Sequence, residues 1–453
     1  MVINNYIRNE FGKTANLSDT LSLLKNGLQS LGLQEVAKTL KSCERLWSVN
    51  IEIPEIRAMS NGKGTSEMAA MTSAYAEMVE RLSAGMETGI RIGEYRNLYG
   101  ELGDLLSKVT LFKYVNGYKW THQNNIQNAV KVESFLKDYK FVPAQYEYLK
   151  DSSELLRHWI PGYSLVQDKE VYVPILFVKW ISSTNGIAAG NTIEEAIVQG
   201  TCEIFERDAM IKSLRFMNKK PCPNIDPDSI DDTTIQDILK YFRDNNIEVV
   251  IKDIGQDIYP VHAVITFNKS ISSKHIGYNM MKAGSSFNTI ESLTRCFTER
   301  MQGTHFEFEA SQGVIDSDIG SDKYIPIFFK GICTLDLNRH AKGDVVKLDN
   351  KSINGTKIEI GQCVDIARKL GTDLIFIDHT HPVLNFPVVR MVMPGVSDFI
   401  KWWDPTKATL NLIGNLEPEE QRYEEKLKSV LRSFEHNISD TGKSAQNKSR
   451  RDT

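Results

Sequence analysis

NGKGTSEMAAMTSAYAEMVER, residues 61–81, reads as a glycine-bearing turn at Asn61 to Gly64 that opens an Ala- and Met-rich helix from about Ser66 to Met86. At about 100° of rotation per residue, Glu77, Glu80 and Arg81 fall on one face with Ser73, and Met71, Tyr75, Met78 and Leu82 form the opposite apolar stripe. The small residues Ala70 and Ala74 lie among the polar ones. The same template returns in AAGNTIEEAIVQGTCEIFER, residues 188–207, where Glu203, Glu206 and Arg207 take the acidic and basic positions. There Gln199 matches Ser73, Gly200 matches Ala74 and Ala196 matches Ala70. A third copy, AGSSFNTIESLTRCFTERMQ at 283–302, carries Glu299 and Gln302, with Arg295, Cys296 and Ser292 in the three preceding slots.

Carboxylates spaced three apart beside small side chains leave room for a ligand, and several such faces brought together concentrate negative charge that is costly to hold unpaired. A hard divalent cation relieves that repulsion. Magnesium prefers carboxylate oxygen, keeps several waters and is commonly shared with nucleotide phosphates, to which Arg81, Arg207 and Arg295 would add direct neutralisation. The competing reading is structural: a lone E-x-x-E-R is ordinarily a solvated face whose Glu–Arg pair is worth about 0.3 to 0.5 kcal/mol. Three matched copies favour a shared function. Each helix is entered through residues whose free N–H groups suit an anion: Gly62 to Gly64, Gly190 to Thr192 and Gly284 to Ser286. Thr192 with Glu195 also fits a capping box, which by itself accounts for both residues, so Glu195 stays open between cap and ligand contact.

Other motifs fail on spacing. Gly12-Lys13-Thr14 and Gly62-Lys63-Gly64 resemble the end of a P-loop, but Ile7 and Arg57 stand where the first glycine belongs. His379-x-His381 puts two imidazoles on one strand face with no third ligand in view and Pro382 beside them. Cys202 and Cys296 lie near the acidic positions without an adjacent base and read as packed thiols.

Outward from the three helices, Leu21, Leu24, Leu28 and Leu31 define an amphipathic helix ending at Gly32. Strands are expected at Leu46–Ile53, Val171–Ser182, Ile247–Asp253, His262–Phe267, Asp373–Asp378 and Val388–Met393, and helices around Ile235–Tyr241 and Cys363–Leu370. Residues 87–165 show weak periodicity. Glu419–Phe434 reads as a charged helix, and 438–453 has no apolar face, so it is expected to be disordered.

With 453 residues and a net charge of -4, the chain has core enough for a large domain and no broad basic surface for nucleic acid. Six scattered cysteines without a C-x-x-C pair, and no apolar run long enough to cross a bilayer or serve as a signal peptide, point to a soluble cytoplasmic protein.

The three motifs, in this order, resemble those of the YcaO family. Gly12-Lys13 with Thr20, Trp47-Ser48-Val49 and Pro394-Gly395-x-Ser397-Asp398 extend the resemblance toward its stand-alone branch, associated with ribosomal-protein methylthiolation. The resemblance implies an α/β (α+β) YcaO-like fold with mixed and antiparallel sheets flanked by helices around an ATP site. It divides the chain into an N-terminal segment 1–55, a core 56–400, a helical extension 401–436 and a tail 437–453. It implies ATP and Mg2+ as cofactors, with Glu77, Glu80, Glu203, Glu206 and Glu299 as metal ligands. Glu80, Glu206, Arg207 and Glu299 are the implied catalytic group, and Lys13, Thr20, Lys63, Ser73, Asn191, Glu195, Arg295 and Gln302 would contact the nucleotide. Thr20 keeps the hydroxyl of a family serine, while Ala188 replaces a nucleotide-contacting one.

The implied chemistry is phosphorylation of a backbone amide oxygen in a peptide or protein, such as a ribosomal protein or precursor peptide, followed by nucleophilic substitution. Side-chain thiol or hydroxyl gives an azoline, sulfide a thioamide. With Pro418 the last proline and no proline-rich tail after it, thioamidation or a methylthiolation-linked role ranks above azoline formation, and a non-catalytic accessory to a methylthiotransferase stays open. A sulfur-delivery or methylthiotransferase partner and a homodimer are also implied; membrane and direct nucleic-acid binding are not expected.

Overall fold

The computed structural model describes residues 2–9, 12–56, 58–84, 118–119, 126–137, 156, 158–216, 221–273, 275, 277–303 and 337–398. The expected terminal helix and tail, and most of 87–165, lie outside the described residues. In chain order the elements are α1 (Leu17–Ser30), β1 (Val36–Cys43), β2 (Leu46–Ile53), β3 (Ala58–Gly64), α2 (Glu67–Ser83), β4 (Tyr118–Lys119), β5 (His158–Ser164), β6 (Lys169–Pro174) and α3 (Ile175–Ser182). There follow β7 (Ile187–Ala189), α4 (Ile193–Phe216), β8 (Asn224–Ile225), α5 (Thr233–Asp244), β9 (Ile247–Asp253), β10 (Val261–Asn268), β11 (Asn279–Ser285) and α6 (Thr289–Arg300). The described chain closes with α7 (Leu337–His340), β12 (Val345–Val346), α8 (Thr356–Lys369), β13 (Ile375–Asp378) and β14 (Val388–Val392).

These strands form three sheets. The first is the antiparallel meander β1-β2-β3; the second runs β11-β10-β9-β8-β12, antiparallel except where β8 meets β12; the third runs β4-β5-β13-β14-β7, with β6 paired to β5. The architecture is the mixed α/β arrangement that the sequence leads one to expect. Alternation in β2 sends Val49, Ile51 and Ile53 to one side, where Leu24 and Leu28 of α1 and Tyr75, Met78 and Leu82 of α2 bury them. Each such fully buried Leu is worth about 1.5 to 3 kcal/mol.

Helix α4 is buried through Ala196, Ile197, Ile204, Phe205 and Ala209 on all but the face that carries Gln199, Glu203, Glu206 and Arg207. It packs against β10 and β11 of the second sheet, β7 and β14 of the third, and α8. The other side of the second sheet is covered by Ile235, Ile238 and Phe242 of α5 and Leu293 and Phe297 of α6.

Each acidic helix grows directly out of an edge strand, β3 into α2, β7 into α4 and β11 into α6, so each of the three sheets delivers one of them. Ser66 caps α2 by accepting from Ala69 N (3.2 Å), and Asn288 caps α6 by accepting from Glu291 N (3.0 Å). The expected turn at Asn61–Gly64 proves to be strand, and so do Gly284 and Ser285 at the entry to the third acidic helix. Their glycines are required because the helix lies flat on the strand before it. A Cβ on Gly62 would sit 2.1 Å from Ala70 O and 2.2 Å from Ala74 N, one on Gly190 2.6 Å from Ala196 N, and one on Gly284 2.3 Å from Ser292 O. Ala70, Ala74 and Ala196 are accordingly packed against backbone and fully buried, leaving no ligand space beside them.

The apolar run Val171–Ser182 is not one strand. It breaks at Pro174, which has no N–H for the ladder, and Ile175–Ser182 forms α3. Strand β1 has no clear signal in the sequence: as an edge strand its side chains are mostly exposed and carry little apolar alternation.

Candidate functional site

The three acidic faces converge. Ser73, Glu77 and Glu80 from α2, Glu195, Glu203, Glu206 and Arg207 from α4, and Arg295 and Glu299 from α6 line one cavity of about 810 Å³. Lys13, Thr20, Lys63, Asn191 and Gln302 line it too, so every candidate site residue faces a common space. That volume falls within the range of roughly 300 to 1,000 Å³ usual for small-molecule sites.

The acidic residues are partly answered by the site's own cations. Arg207 Nη2 lies 2.7 Å from Glu203 Oε1, Arg81 pairs with Glu77, and Glu299 is held between Lys63 on one oxygen and Lys282 Nζ at 3.6 Å on the other. Gln302 ties the end of α6 to β3, donating to Asn61 O at 2.9 Å. The backbone N–H of Ala189 donates to Glu80 Oε2 at 3.1 Å, joining α2 to the strand that feeds α4.

Burial acts on these groups as well. Burial, with Glu203 and Glu77 nearby, holds the Glu80 carboxyl well above the usual carboxylate range. Burial likewise raises Glu203 against the pull of Arg207, and pushes Glu206 up to about 7 despite Arg207 and Lys63. The cations move the other way: burial lowers Lys63, and lowers Lys282 to about 8 with Lys63 adding to the effect. Behind the acidic group, Arg390 of β14 is 1% exposed and donates Nη1 to Ser183 O at 2.8 Å. Burial brings it down to about 10, against the attraction of Glu203 and Glu80.

At the other end of the cavity, Thr20 Oγ1 donates to Asn191 Oδ1 (2.6 Å), and Asn191 Nδ2 donates to both oxygens of Glu195 (3.3 and 3.2 Å). Glu195 also accepts from the N–H and hydroxyl of Thr14 (2.8 and 2.6 Å) and sits 3.5 Å from Lys13 Nζ. Burial opposes its charge, but Lys13 and the Thr14 bonds override it and hold the carboxyl below its ordinary value. Only half of the anticipated capping box is present: Thr192 Oγ1 accepts from Glu195 N at 3.1 Å, while the Glu195 side chain turns away to the cavity.

Among the described residues no three Asp, Glu, His or Cys side chains already surround one point as a cation site. The acidic group nevertheless suits a magnesium-bound polyphosphate: it gathers five carboxylates on one cavity, with Lys13, Lys63, Arg207 and Arg295 around them. His379 and His381 are buried away from these residues, and His381 Nδ1 accepts from the backbone N–H of Val383 and Leu384 (3.1 and 3.3 Å). Cys202 and Cys296 are buried and their thiols raised by burial, Cys202 to about 12.

Sequence reasoning missed Arg8, Lys282 and Glu291. Glu291 had a signal, lying one turn before Arg295; Arg8 and Lys282 had none, since only the tertiary fold brings them here.

An acidic cavity lined by Lys13, Lys63, Arg207 and Arg295 has the charge pattern that suits a nucleotide with its metal. A family model described as YcaO cyclodehydratase, ATP- and Mg2+-binding, matches residues 61–397. The chain belongs to the YcaO family, which binds ATP and Mg2+. It is 24% identical over 408 residues to the ribosomal protein S12 methylthiotransferase accessory factor YcaO of Escherichia coli and 25% identical over 421 residues to a Haemophilus influenzae protein. Each match covers 85% of this chain but 66% of the relative, so the chain spans just under two thirds of their length. Among solved structures, a heterocyclase in complex with substrate and cofactor superposes with a TM-score of 0.64 at 18% identity, covering 88% of this chain and 55% of that one. YcaO from Methanopyrus kandleri bound with AMPPCP and Mg2+ gives 0.55 at 19% identity, covering 87% and 95%. These likenesses establish the fold. Among the described residues no helix is long and apolar enough to cross a membrane.

Proposed function

We propose that this chain is an ATP-dependent enzyme that phosphorylates the oxygen of a peptide or protein backbone amide, making that oxygen a leaving group for an incoming nucleophile. Bound ATP and magnesium would supply the phosphoryl group and the positive charge that offsets its transfer. Glu77, Glu80, Glu203, Glu206 and Glu299 would hold the metal, and Lys13, Arg207 and Arg295 the phosphates. Thr20 and the Asn191–Glu195 pair would flank the nucleotide, with Ser73, Lys63 and Gln302 completing the wall. Glu80, Glu206, Arg207 and Glu299 would face the reacting groups, fixing them in place with little rearrangement.

The observation that carries this reading is the convergence of Glu77, Glu80, Glu203, Glu206 and Glu299 from three helices on one cavity, where burial raises the carboxyls of Glu80, Glu203 and Glu206. For the nucleophile we favour sulfur, as thioamidation or a step linked to methylthiolation of a ribosomal protein, because the E. coli relative is named for that process. The same name supports a second reading, a nucleotide-binding accessory that assists a methylthiotransferase without performing chemistry. The free cysteines fit a reducing, cytoplasmic setting.

Mass spectrometry of cellular proteins from cells carrying the native chain or Glu77→Ala separates the two. Loss of a backbone modification at constant partner abundance supports direct catalysis, and an unchanged modification pattern overturns it. Purified chain that shows no Mg2+-dependent stabilisation by ATP removes both readings, since saturation at a hundred times Kd adds about 2.7 kcal/mol.

A further inference from the structure

Glu291 sits where the N-terminal arm meets α6, outside the acidic motif. Its Oε1 accepts from Arg295 Nε and Nη2 at 3.1 and 2.8 Å, and its Oε2 accepts from Ser286 Oγ at 2.8 Å. Gln199 Oε1 takes Arg295 Nη2 as well, at 2.6 Å. The guanidinium is thus gripped along one edge, and its Nη1 has no protein partner among the described residues while Arg295 lines the cavity.

The same carboxylate steadies the arm. Arg8 Nη1 lies 3.7 Å from Glu291 Oε1 and donates to Gly12 O at 3.1 Å, while its Nη2 pairs with the fully buried Glu359 of α8. Gly12, at φ +69°, rests against the Glu291 carboxyl so closely that a Cβ there would fall 2.6 Å from Oε1. Asn9 N donates to Lys13 O (2.8 Å) and Lys13 N to Asn9 Oδ1 (3.0 Å), closing a tight turn that presents Lys13 to the cavity.

We infer that Glu291, braced by Arg8, is a positioning residue that sets Arg295 and the Lys13 turn at one spacing matched to the phosphates of a nucleotide. A single carboxylate therefore registers two cations, Lys13 and Arg295, that lie far apart in the sequence. The inference rests on the nucleotide reading above and adds to it the device that orients the phosphate contacts.

The test compares binding of Mg–ATP with binding of adenosine, which lacks phosphates, by titration calorimetry and competition on the full chain. Glu291→Ala is expected to weaken Mg–ATP by about tenfold and adenosine by less than about twofold, and adding Glu291→Ala to the Lys13→Ala/Arg295→Ala double variant to lose little more than that double variant alone. Arg8→Met is expected to weaken Mg–ATP selectively in the same way. Should Glu291→Ala fail to fold, Glu291→Gln carries the same comparison, since it keeps the shape and removes the charge. Parallel losses of ATP and adenosine, or a Glu291→Ala loss that persists undiminished in the Lys13→Ala/Arg295→Ala background, overturn the positioning role while leaving the nucleotide site intact. A native chain that binds ATP no better than adenosine overturns both.

Discussion

Lys63 of β3 and Glu299 of α6 form an ion pair inside the cavity, with Lys282 of β11 3.6 Å from the other oxygen of the same carboxylate. On the metal-binding role proposed for Glu299, the two lysines would neutralise it until a divalent cation replaces them. Removing one partner from such a pair costs about 1 to 3 kcal/mol when the group left behind is poorly solvated. Lys63→Met is therefore expected to lower the melting temperature of the metal-free protein by several degrees and to show a larger stabilisation by Mg2+ alone than the native chain. Equal Mg2+ shifts in both proteins, read by thermal unfolding, would count against the exchange.

Protonation of Glu206 gives a pH dependence with a definite sign. Its carboxyl titrates near 7 in the folded protein, above the unfolded value, so the folded state holds its proton more tightly. The stabilisation it provides is complete below the unfolded pKa and disappears as pH rises through about 7. Metal-free protein should melt progressively lower between pH 5 and 8, Glu206→Gln should flatten that slope, and Mg–ATP should abolish it while releasing protons on binding. Buffer-dependent calorimetric heats at pH 6.5 measure the release directly; heats that do not vary with the buffer would contradict the coupling.

Glycines 62 and 32 separate steric need from conformational need. Gly62→Ala would drive a methyl into the backbone of α2, and the expected loss is about 3 kcal/mol or more, visible as poor folding. At Gly32, with φ +72°, an added methyl would meet no atom within 4 Å, so Gly32→Ala carries only the left-handed backbone cost of roughly 1 kcal/mol. Denaturant midpoints for the two variants should differ accordingly.

The Arg8–Glu359 pair is buried on both sides, at 7% and 0% side-chain exposure. Glu359→Ala removes one of two carboxylates from a buried guanidinium that keeps Glu291 at 3.7 Å and Gly12 O at 3.1 Å, and should cost about 2 to 3 kcal/mol. Asp244→Ala, which breaks the surface pair of Asp244 with Lys240, should cost less than about 1 kcal/mol. Urea unfolding of the two variants tests the contrast, and comparable losses would contradict it.

The convergence of the acidic helices was legible because helical period and matched spacing are local properties: Glu77, Glu203 and Glu299 each carry their own geometry in the residues around them. What makes the helices converge was not. Gly62 and Gly284 look like turn residues in one dimension, and only the contact with the following helix shows them to be strand positions stripped of side chains for close packing. Pro174 divides an apolar run whose composition suits strand and buried helix equally. Arg8 and Glu291 are 283 positions apart by their numbering, and no periodicity reports such a meeting.

Edge strands β3, β7 and β11 each belong to a different sheet, and each launches one wall of the cavity. No single layer of the molecule owns a complete site. Whatever fills the space acts as a keystone: it can be gripped only when all three layers are assembled, and once seated it welds them into one cooperative unit. Occupancy and structural integrity are thereby made reports of the same event.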